Sequence, residues 1–153
     1  MGERRLTLVE ALRGARRAVL DTMVLIYYFE DCAIYGDRAE SVIRDASKEV
    51  FEAIITPVTA AELLVKPLRA ERPDIADGYR TAMAHLGNTS RCSLSWNTGC
   101  MAGALRARYG LPIPDMFQVA LAIETDSCAL ITNDKALCRV EEVPIVLLDD
   151  LSS

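Results

Sequence analysis

The sequence predicts an α/β protein, a three-layer α/β/α sandwich built around a central parallel sheet. Short apolar runs typical of β-strands alternate along the chain with longer stretches of helical periodicity. The apolar runs AVL, AII and CALI are continuous instead of alternating with polar residues, which indicates strands buried on both faces, as in parallel sheets. A chain of 153 residues, 51% of them hydrophobic, is the size of one domain with a complete core.

Each predicted element is a run of one periodicity bounded by turn or capping residues. Strands are expected at residues 18–22, 52–57, 91–96, 128–132 and 144–150. Helices are expected between them, at residues 23–29, 37–50, 59–70, 74–86, 98–110, 115–126 and 134–140. Pro67 should kink or interrupt the helix that contains it, because proline lacks a backbone N–H. Gly110 should end the helix that precedes it.

The first residues of the chain are predicted to form a separate N-terminal helical appendage, residues 1–17, before a domain that spans residues 18–153. Thr7 and Glu10 have the spacing of a capping box, and Leu8, Leu12 and Ala15 could line one face of a short helix. This segment is basic and interrupted by charges, so it does not resemble a secretory signal, and no apolar run is long enough to cross a bilayer. We therefore expect a cytoplasmic protein with no membrane partner.

The composition limits the chemistry that is available to the chain. It has one histidine, His85, in a helical stretch where a structural or surface role is expected, which argues against a serine triad or a histidine-rich metal site. The five cysteines are scattered without a C-x-x-C pair, which argues against a zinc cluster or a disulfide framework. The net charge of −5 argues against a protein that coats nucleic acid, although an enzyme acting on nucleic acid stays open. Any reaction must therefore depend on Asp and Glu.

Four acidic residues follow, or stand close to, the predicted strands. Asp21 closes the first strand, and Asp134 follows the strand CALIT with only Asn133 between. Glu62 lies about one turn into the helix after the second strand, and Asp115 opens the helix that leads into CALIT. In open α/β sheets, ligands bind beyond the carboxyl ends of the strands. The four side chains converge only if the strands of Asp21 and Asp134 are neighbours, which periodicity does not show.

Each of these acids also has an ordinary explanation. Asp21, Asp115 and Asp134 all stand where a helix begins, and aspartate is a favoured helix cap. Glu62 could be a solvated helix residue. Four carboxylates at one edge, however, repel one another unless cations or protons compensate. Hard divalent cations such as Mg²⁺ prefer oxygen ligands, and such a site can activate water against a phosphodiester.

The same residues resemble the successive motifs of PIN-domain proteins. The similar segments are VLDTMVLIYYFED, TPVTAAELL and LPIPDMFQVALAIETDSCALITND, and the resemblance runs from about Ala18 to Leu148. In that family the order is an Asp after the first strand, a Glu on a later helix, an Asp opening a helix and a T-x-D after a strand. The resemblance implies a Rossmann-like parallel sheet in which the first and fourth strands are adjacent.

The resemblance also implies an activity, a cofactor and partners. It implies an Mg²⁺- or Mn²⁺-dependent endoribonuclease that cleaves RNA, often as the toxin of a toxin–antitoxin pair with a protein antitoxin, and frequently as a homodimer. Carried over to this chain, the metal and catalytic residues would be Asp21, Glu62, Asp115 and Asp134. Thr22, Thr132 and Asn133 would support them by orienting a carboxylate, a water or a phosphate, with helix capping and turn formation as the alternatives.

The chain departs from the family pattern in two places, and two other functions remain as alternatives. Gln118 lies one turn after Asp115, where some members carry further acid, which leaves the number of metal ions undecided. The N-terminal segment delays Asp21, which makes the toxin role less secure than the nuclease role. The alternatives are a non-catalytic PIN-like interaction module and, less favoured because Met23 replaces a second Asp, an aspartyl-phosphate phosphohydrolase. Basic side chains that could steer RNA are Lys66, Arg69, Arg106, Arg108 and Lys135.

Overall fold

Five parallel strands form the central sheet, in the order β3-β2-β1-β4-β5. The structure is a computed structural model, and it describes residues 4–152. The strands are β1 (Arg17–Leu20), β2 (Glu52–Ile55), β3 (Thr89–Arg91), β4 (Cys128–Thr132) and β5 (Ile145–Leu147). The order places β1 between β2 and β4, so the chain changes direction across the sheet at β1. The predicted parallel sheet is confirmed.

Helices connect the strands. They are α1 (Leu8–Ala11), α2 (Thr22–Phe29), α3 (Gly36–Ser47), α4 (Pro57–Arg69), α5 (Pro73–Ala84), α6 (Trp96–Tyr109) and α7 (Ile113–Glu124), with 3₁₀ turns at Lys135–Arg139 and Leu148–Asp150. Gly110 adopts a left-handed conformation with φ of 70° and ends α6, as predicted. Within residues 4–152, no helix combines the length and apolarity that crossing a bilayer requires.

Both faces of the sheet are covered, which confirms the three-layer sandwich. In β1, Ala18 and Leu20 pack into one apolar cluster with residues of α1 to α5. Val19, between them, packs into a second cluster with residues of α6 and α7. The alternation of Cβ positions in a strand requires this division, because neighbouring side chains point to opposite faces. The continuous apolar run AVL therefore reflects a strand with no solvent face.

The extent of the third strand and the interruption of a helix at Pro67 were predicted wrongly. The third strand was expected at residues 91–96, but β3 ends at Arg91, and Trp96 begins α6 with an 87% exposed side chain. Ser95 and Thr98 form a reciprocal capping box, which starts the helix in spite of the preceding β-like pattern. The helix α4 continues through Pro67 to Arg69, so this proline does not interrupt it. Pro67 lies in the last turn, where its missing N–H removes one hydrogen bond from a helix that is already ending.

The N-terminal segment packs against the domain over its described part. The predicted capping box of Thr7 and Glu10 is present and starts α1. Leu8 and Leu12 are 7% and 3% exposed and belong to the apolar cluster of the sheet face that α2 and α3 cover. Leu6 also pairs with Leu151 in a parallel bridge near the other end of the chain. Residues 1–3 of the predicted appendage lie outside the described residues.

This packing predicts a stability effect. Leu12→Ala should lower the free energy of unfolding by about 2–5 kcal/mol, because it removes buried methyl groups and leaves a cavity. Urea denaturation followed by circular dichroism measures the change. Val9→Ala is the matched control, since Val9 lies on the same helix and is 64% exposed. Equal stability of the two variants would contradict the packing role of Leu12.

Candidate active site

The candidate site lies at the carboxyl ends of β1 and β4. Leu20 of β1 is in register with Ile131 of β4, and the backbone N–H of Asp21 donates to the carbonyl of Ile131 over 2.9 Å. The strands that precede Asp21 and Asp134 are therefore neighbours, as the family resemblance implied. The order of strands reverses at this point, and a crevice at such a reversal is where open α/β sheets bind ligands.

Asp21 is held between two neighbours and is 5% exposed. Its Oδ1 accepts from the Thr22 backbone N–H over 2.8 Å, and its Oδ2 accepts from the Thr132 hydroxyl over 2.7 Å. Burial raises the pKa of Asp21, and the charges of Glu62 and Asp134 act in the same direction, while the two hydrogen bonds oppose them. The side chain is thus fixed at the strand end in an environment that disfavours its negative charge.

Glu62 reaches the same place from α4. The hydroxyl of Thr22 donates to its Oε1 over 2.8 Å, and the hydroxyl of Thr59 lies 3.1 Å from that of Thr22. Thr59 and Glu62 are three residues apart on α4 and therefore lie on neighbouring positions of the helix surface. Glu62 is thus tied to the residue that follows Asp21, although its helix belongs to another part of the sequence.

Asp115 lies in the first turn of α7 and experiences the other three carboxylates. Burial, the largest cause, and the charges of Asp21, Asp134 and Glu62 together raise its pKa to about 6. The other three acids therefore lie near enough to Asp115 to act on its charge, at the edge of the sheet where the sequence predicted all four. No hydrogen bond or ion pair to this carboxylate is present within residues 4–152.

Asp134 and Asn133 belong to the turn after β4. Oδ1 of Asp134 accepts from the Ala136 backbone N–H over 3.0 Å, so this acid caps the 3₁₀ turn that follows. Its own N–H donates to the Thr132 hydroxyl over 3.1 Å. The side-chain oxygen of Asn133 accepts from the backbone N–H of Asp149 over 3.1 Å, which connects this turn to the 3₁₀ turn after β5. In this structure Asn133 holds the loop, and a contact with phosphate stays a prediction.

None of the four carboxylates is paired with a cation in the part of the chain that the structure describes, where ion pairs lie elsewhere. Nor do any three Asp, Glu, His or Cys side chains of residues 4–152 lie close enough to enclose an ion by themselves. Mg²⁺ is usually held by one or two carboxylates together with waters and substrate phosphate, so a closed protein cage is not required. The all-oxygen donor set and its unbalanced charge fit a hard divalent cation.

Gln118 is a residue of the site that sequence reasoning did not assign. It is 1% exposed on α7, and its Nε2 lies 3.5 Å from the Thr22 hydroxyl. Its Oε1 is buried and accepts no hydrogen bond from any group of residues 4–152. The sequence did place Gln118 one helical turn after Asp115, and a polar residue within the apolar run MFQVALA was the available signal. Thr59 was also missed, although its spacing from Glu62 could have identified it.

Most of the basic residues predicted to steer RNA are already engaged. Lys66 pairs with Glu30, Arg108 with Glu141 and Glu142, and Lys135 lies 4.0 Å from Asp149. Arg106 donates to the Gly110 carbonyl at the end of α6. Two other arginines, Arg80 and Arg91, line a cavity of about 420 Å³ at the carboxyl ends of β2 and β3, with Thr56, Met83 and Ser93 among its other walls.

Comparison with known proteins agrees with this geometry. The family model described as the PIN domain matches residues 18–143. A search of the curated proteins gives no match. Three similar solved structures are a toxin–antitoxin complex from Klebsiella pneumoniae, VapBC2 from Rickettsia felis bound to a promoter DNA fragment, and DNA-bound VapBC from Salmonella typhimurium.

The structural similarity covers almost the whole of each related chain. The Klebsiella protein has a TM-score of 0.65 at 22% identity, with 86% of this chain and 97% of that chain covered. The Rickettsia protein has a TM-score of 0.66 at 17% identity, with 84% of this chain and 96% of that chain covered. The Salmonella protein has a TM-score of 0.65 at 16% identity, with 86% of this chain and 98% of that chain covered. The chain belongs to the PIN domain family. Members of this family are in general nucleases that use divalent metal ions.

The raised pKa of Asp115 predicts a pH-dependent stability effect. The folded pKa of about 6 exceeds the usual 3.8, so the folded chain holds this proton more tightly and loses stability as pH rises between these values. In EDTA at pH 7.5, Asp115→Asn should raise the free energy of unfolding by about 1 kcal/mol after allowance for partial exposure, or about 2–4 °C in Tm.

The gain should shrink as the pH is lowered to 4.5, where the native Asp115 binds its proton. Thermal unfolding at both pH values measures it. Asp126→Asn is the control, because that carboxylate is exposed and pairs only with Arg16. A gain of equal size at both pH values would contradict the proposed cause.

Proposed function

We propose that the protein is an Mg²⁺- or Mn²⁺-dependent endoribonuclease in which Asp21, Glu62, Asp115 and Asp134 are the metal-binding and catalytic residues. The observation that carries the proposal is the position of four carboxylates, none of them paired with a cation of residues 4–152, at the reversal of strand order. Like charges near one another cost stability, and the hydrogen bonds that three of these carboxylates accept come from neutral groups. A bound divalent cation would remove this repulsion.

Each residue would contribute to metal binding in its own way. Asp21 is the most rigid oxygen donor, since Thr22 and Thr132 fix both of its carboxylate oxygens in direction. Glu62 is oriented by Thr22, and Asp134 keeps its Oδ2 outside the cap that it makes through Oδ1. When bound, the divalent cation supplies Lewis-acid stabilisation of the phosphate and activation of water. An aspartyl-phosphate mechanism through Asp21 is less favoured, because Met23 stands where that class of enzyme carries a second Asp.

RNA as the substrate is supported by family membership and by the surface next to the carboxylates. The cavity at the ends of β2 and β3 opens on the same edge of the sheet as the acids. The guanidinium of Arg91 has no carboxylate within 4.0 Å among the described residues, which leaves it available for a phosphate. We propose that an RNA strand runs along this edge, from the β1–β4 crevice toward Arg80 and Arg91.

A role as a toxin, inhibited by a protein antitoxin, is supported by the similar structures, each of which is a toxin–antitoxin or VapBC complex. We further propose a cytoplasmic homodimer. Support for self-association comes from exposed apolar side chains, among which Trp96 is 87%, Leu68 48% and Val65 43% exposed. Sedimentation equilibrium of the purified protein measures the oligomeric state directly.

The site assignment predicts the loss of activity in one variant. Asp21→Asn should lower Mn²⁺-dependent cleavage of structured RNA by roughly 100-fold or more, because a neutral amide at the strand end neither attracts the cation nor balances its charge. Cleavage of end-labelled RNA on gels measures the rate, with Asp126→Asn as an exposed control. Equal rates in wild type and Asp21→Asn would contradict the assignment. Absence of both metal binding and cleavage in the wild type would favour the non-catalytic interaction module.

The proposed RNA path predicts a separate effect on binding. In an Asp21→Asn background, Arg91→Ala should weaken binding to single-stranded RNA and reduce the slope of log affinity against log salt by about 0.7, as expected for one lost phosphate contact. Fluorescence anisotropy in EDTA measures both values. Arg44→Ala, on the exposed side of α3, is the control. An unchanged salt slope in Arg91→Ala would exclude this residue from the path.

A further inference from the structure

Gln118 is an unusual residue for its position. Its neighbours on α7, Met116, Val119 and Ala120, are buried and apolar, as is normal for a helix packed on a sheet. Gln118 is 1% exposed, yet its Oε1 makes no hydrogen bond within the described part of the chain. Buried polar groups are nearly always satisfied, because leaving one without a partner costs stability. An apolar side chain of the same size would avoid that cost, so the amide requires an explanation.

The hydrogen-bond directions around Gln118 follow from Glu62. A carboxylate only accepts, so the single proton of the Thr22 hydroxyl is donated to Glu62 over 2.8 Å. The hydroxyl of Thr59, 3.1 Å away, must then donate to Thr22. The group of Gln118 that faces Thr22 over 3.5 Å must also be a donor, which is its Nε2. With the amide reversed, two oxygens would face each other without a proton.

The Thr22 hydroxyl is therefore saturated. It donates once, to Glu62, and its two acceptor positions face Thr59 and Gln118. The network has one direction, from the buried side chains of α4 and α7 toward the carboxylate. If the Thr22 hydroxyl proton rotated away from Glu62, it would point at the Thr59 hydroxyl proton or at the amide protons of Gln118, which are themselves donors. The orientation of Glu62 is thereby fixed from residues that do not themselves carry charge.

We infer that Gln118 is a positioning residue of the carboxylate site: its amide nitrogen keeps Thr22 donating to Glu62, and its buried carbonyl oxygen accepts from a water molecule within the site. The inference rests on the proposed function for the identity of the site. A water is the fitting partner because Oε1 needs one donor and is enclosed by protein. The same water can donate a second hydrogen bond toward a neighbouring acceptor.

Gln118→Met tests the inference, because methionine has a similar length and no polar group. The metal-free variant should remain folded, because methionine fills a similar volume and is apolar like the neighbouring side chains on α7. Thermal unfolding of the metal-free protein checks this. The affinity of the variant for Mn²⁺, measured by isothermal titration calorimetry, should fall by about tenfold, as for other residues that orient metal ligands. Leu121→Met, also buried on α7, is the matched control and should bind Mn²⁺ as the wild type does.

A double-mutant cycle separates positioning from packing. If Gln118 acts through Thr22, then Gln118→Met should weaken Mn²⁺ binding no further in a Thr22→Val background. Additive losses, or wild-type affinity in Gln118→Met, would overturn the inference. A crystal structure of the metal-free wild type supplies a readout that needs neither metal nor activity: an ordered water should lie within hydrogen-bond distance of Gln118 Oε1, and its absence would also overturn the inference.

These readouts distinguish the inference from the proposed function. A wild type that binds Mn²⁺ but cleaves no RNA would contradict the proposed activity, while the tenfold difference in Gln118→Met would still support the positioning role. A wild type that binds no Mn²⁺ would contradict the proposed metal site, and the water at Oε1 would then decide the inference by itself.

Discussion

The buried carboxylate of Asp21 is the constraint on which the arrangement of the site depends. A negative charge that is 5% exposed has to be compensated, and here the compensation comes from the Thr22 backbone and the Thr132 hydroxyl. The Thr132 hydroxyl can reach Asp21 only because β1 and β4 are adjacent and in register. The pairing of two strands more than a hundred residues apart in sequence is therefore a condition for the first residue of the site.

The remaining acids reach Asp21 through helices that follow other strands. Glu62 comes from α4, after β2, and Asp115 from α7, before β4. Because all strands are parallel, α4, which follows β2, begins at the carboxyl edge of the sheet. The helix α7, which leads into β4, must start at that edge as well in order to bring the chain to the opposite one. The shared edge explains how four acids that are separated in sequence lie near one another without a long loop.

The same arrangement separates the regions that stabilise the fold from the region that lowers its stability. The two apolar clusters on the faces of the sheet supply burial, with β1, β2 and β4 contributing to both. The carboxylate edge works against stability through burial of charge and charge repulsion, which together raise the pKa of Asp115 to about 6, and through the buried Oε1 of Gln118, to which no group of residues 4–152 donates a hydrogen bond. Features that lower stability at one place and are retained there are typical of functional sites.

The sequence by itself determined the alternation of strands and helices, the burial of the strands on both faces and the position of Asp21 and Asp134 at strand ends. These follow from local periodicity and composition, which need no knowledge of the partner elements. The local pattern predicted a strand through Ser95 and Trp96, where a capping box starts a helix instead. It also predicted an effect of Pro67 from the residue type, whereas the position of this proline within its helix mattered more.

Tertiary structure alone decided which distant residues lie beside one another at the carboxylate edge. The adjacency of β1 and β4, the hydrogen bonds from Thr22 and Thr132, and the burial of Gln118 beside Thr22 all depend on contacts between distant segments. Periodicity assigns a residue to an element and a face, but it carries no information on which elements are neighbours. Each of the four carboxylates was visible in the sequence as a helix cap or a helix residue, and only their convergence distinguishes a site from a set of caps.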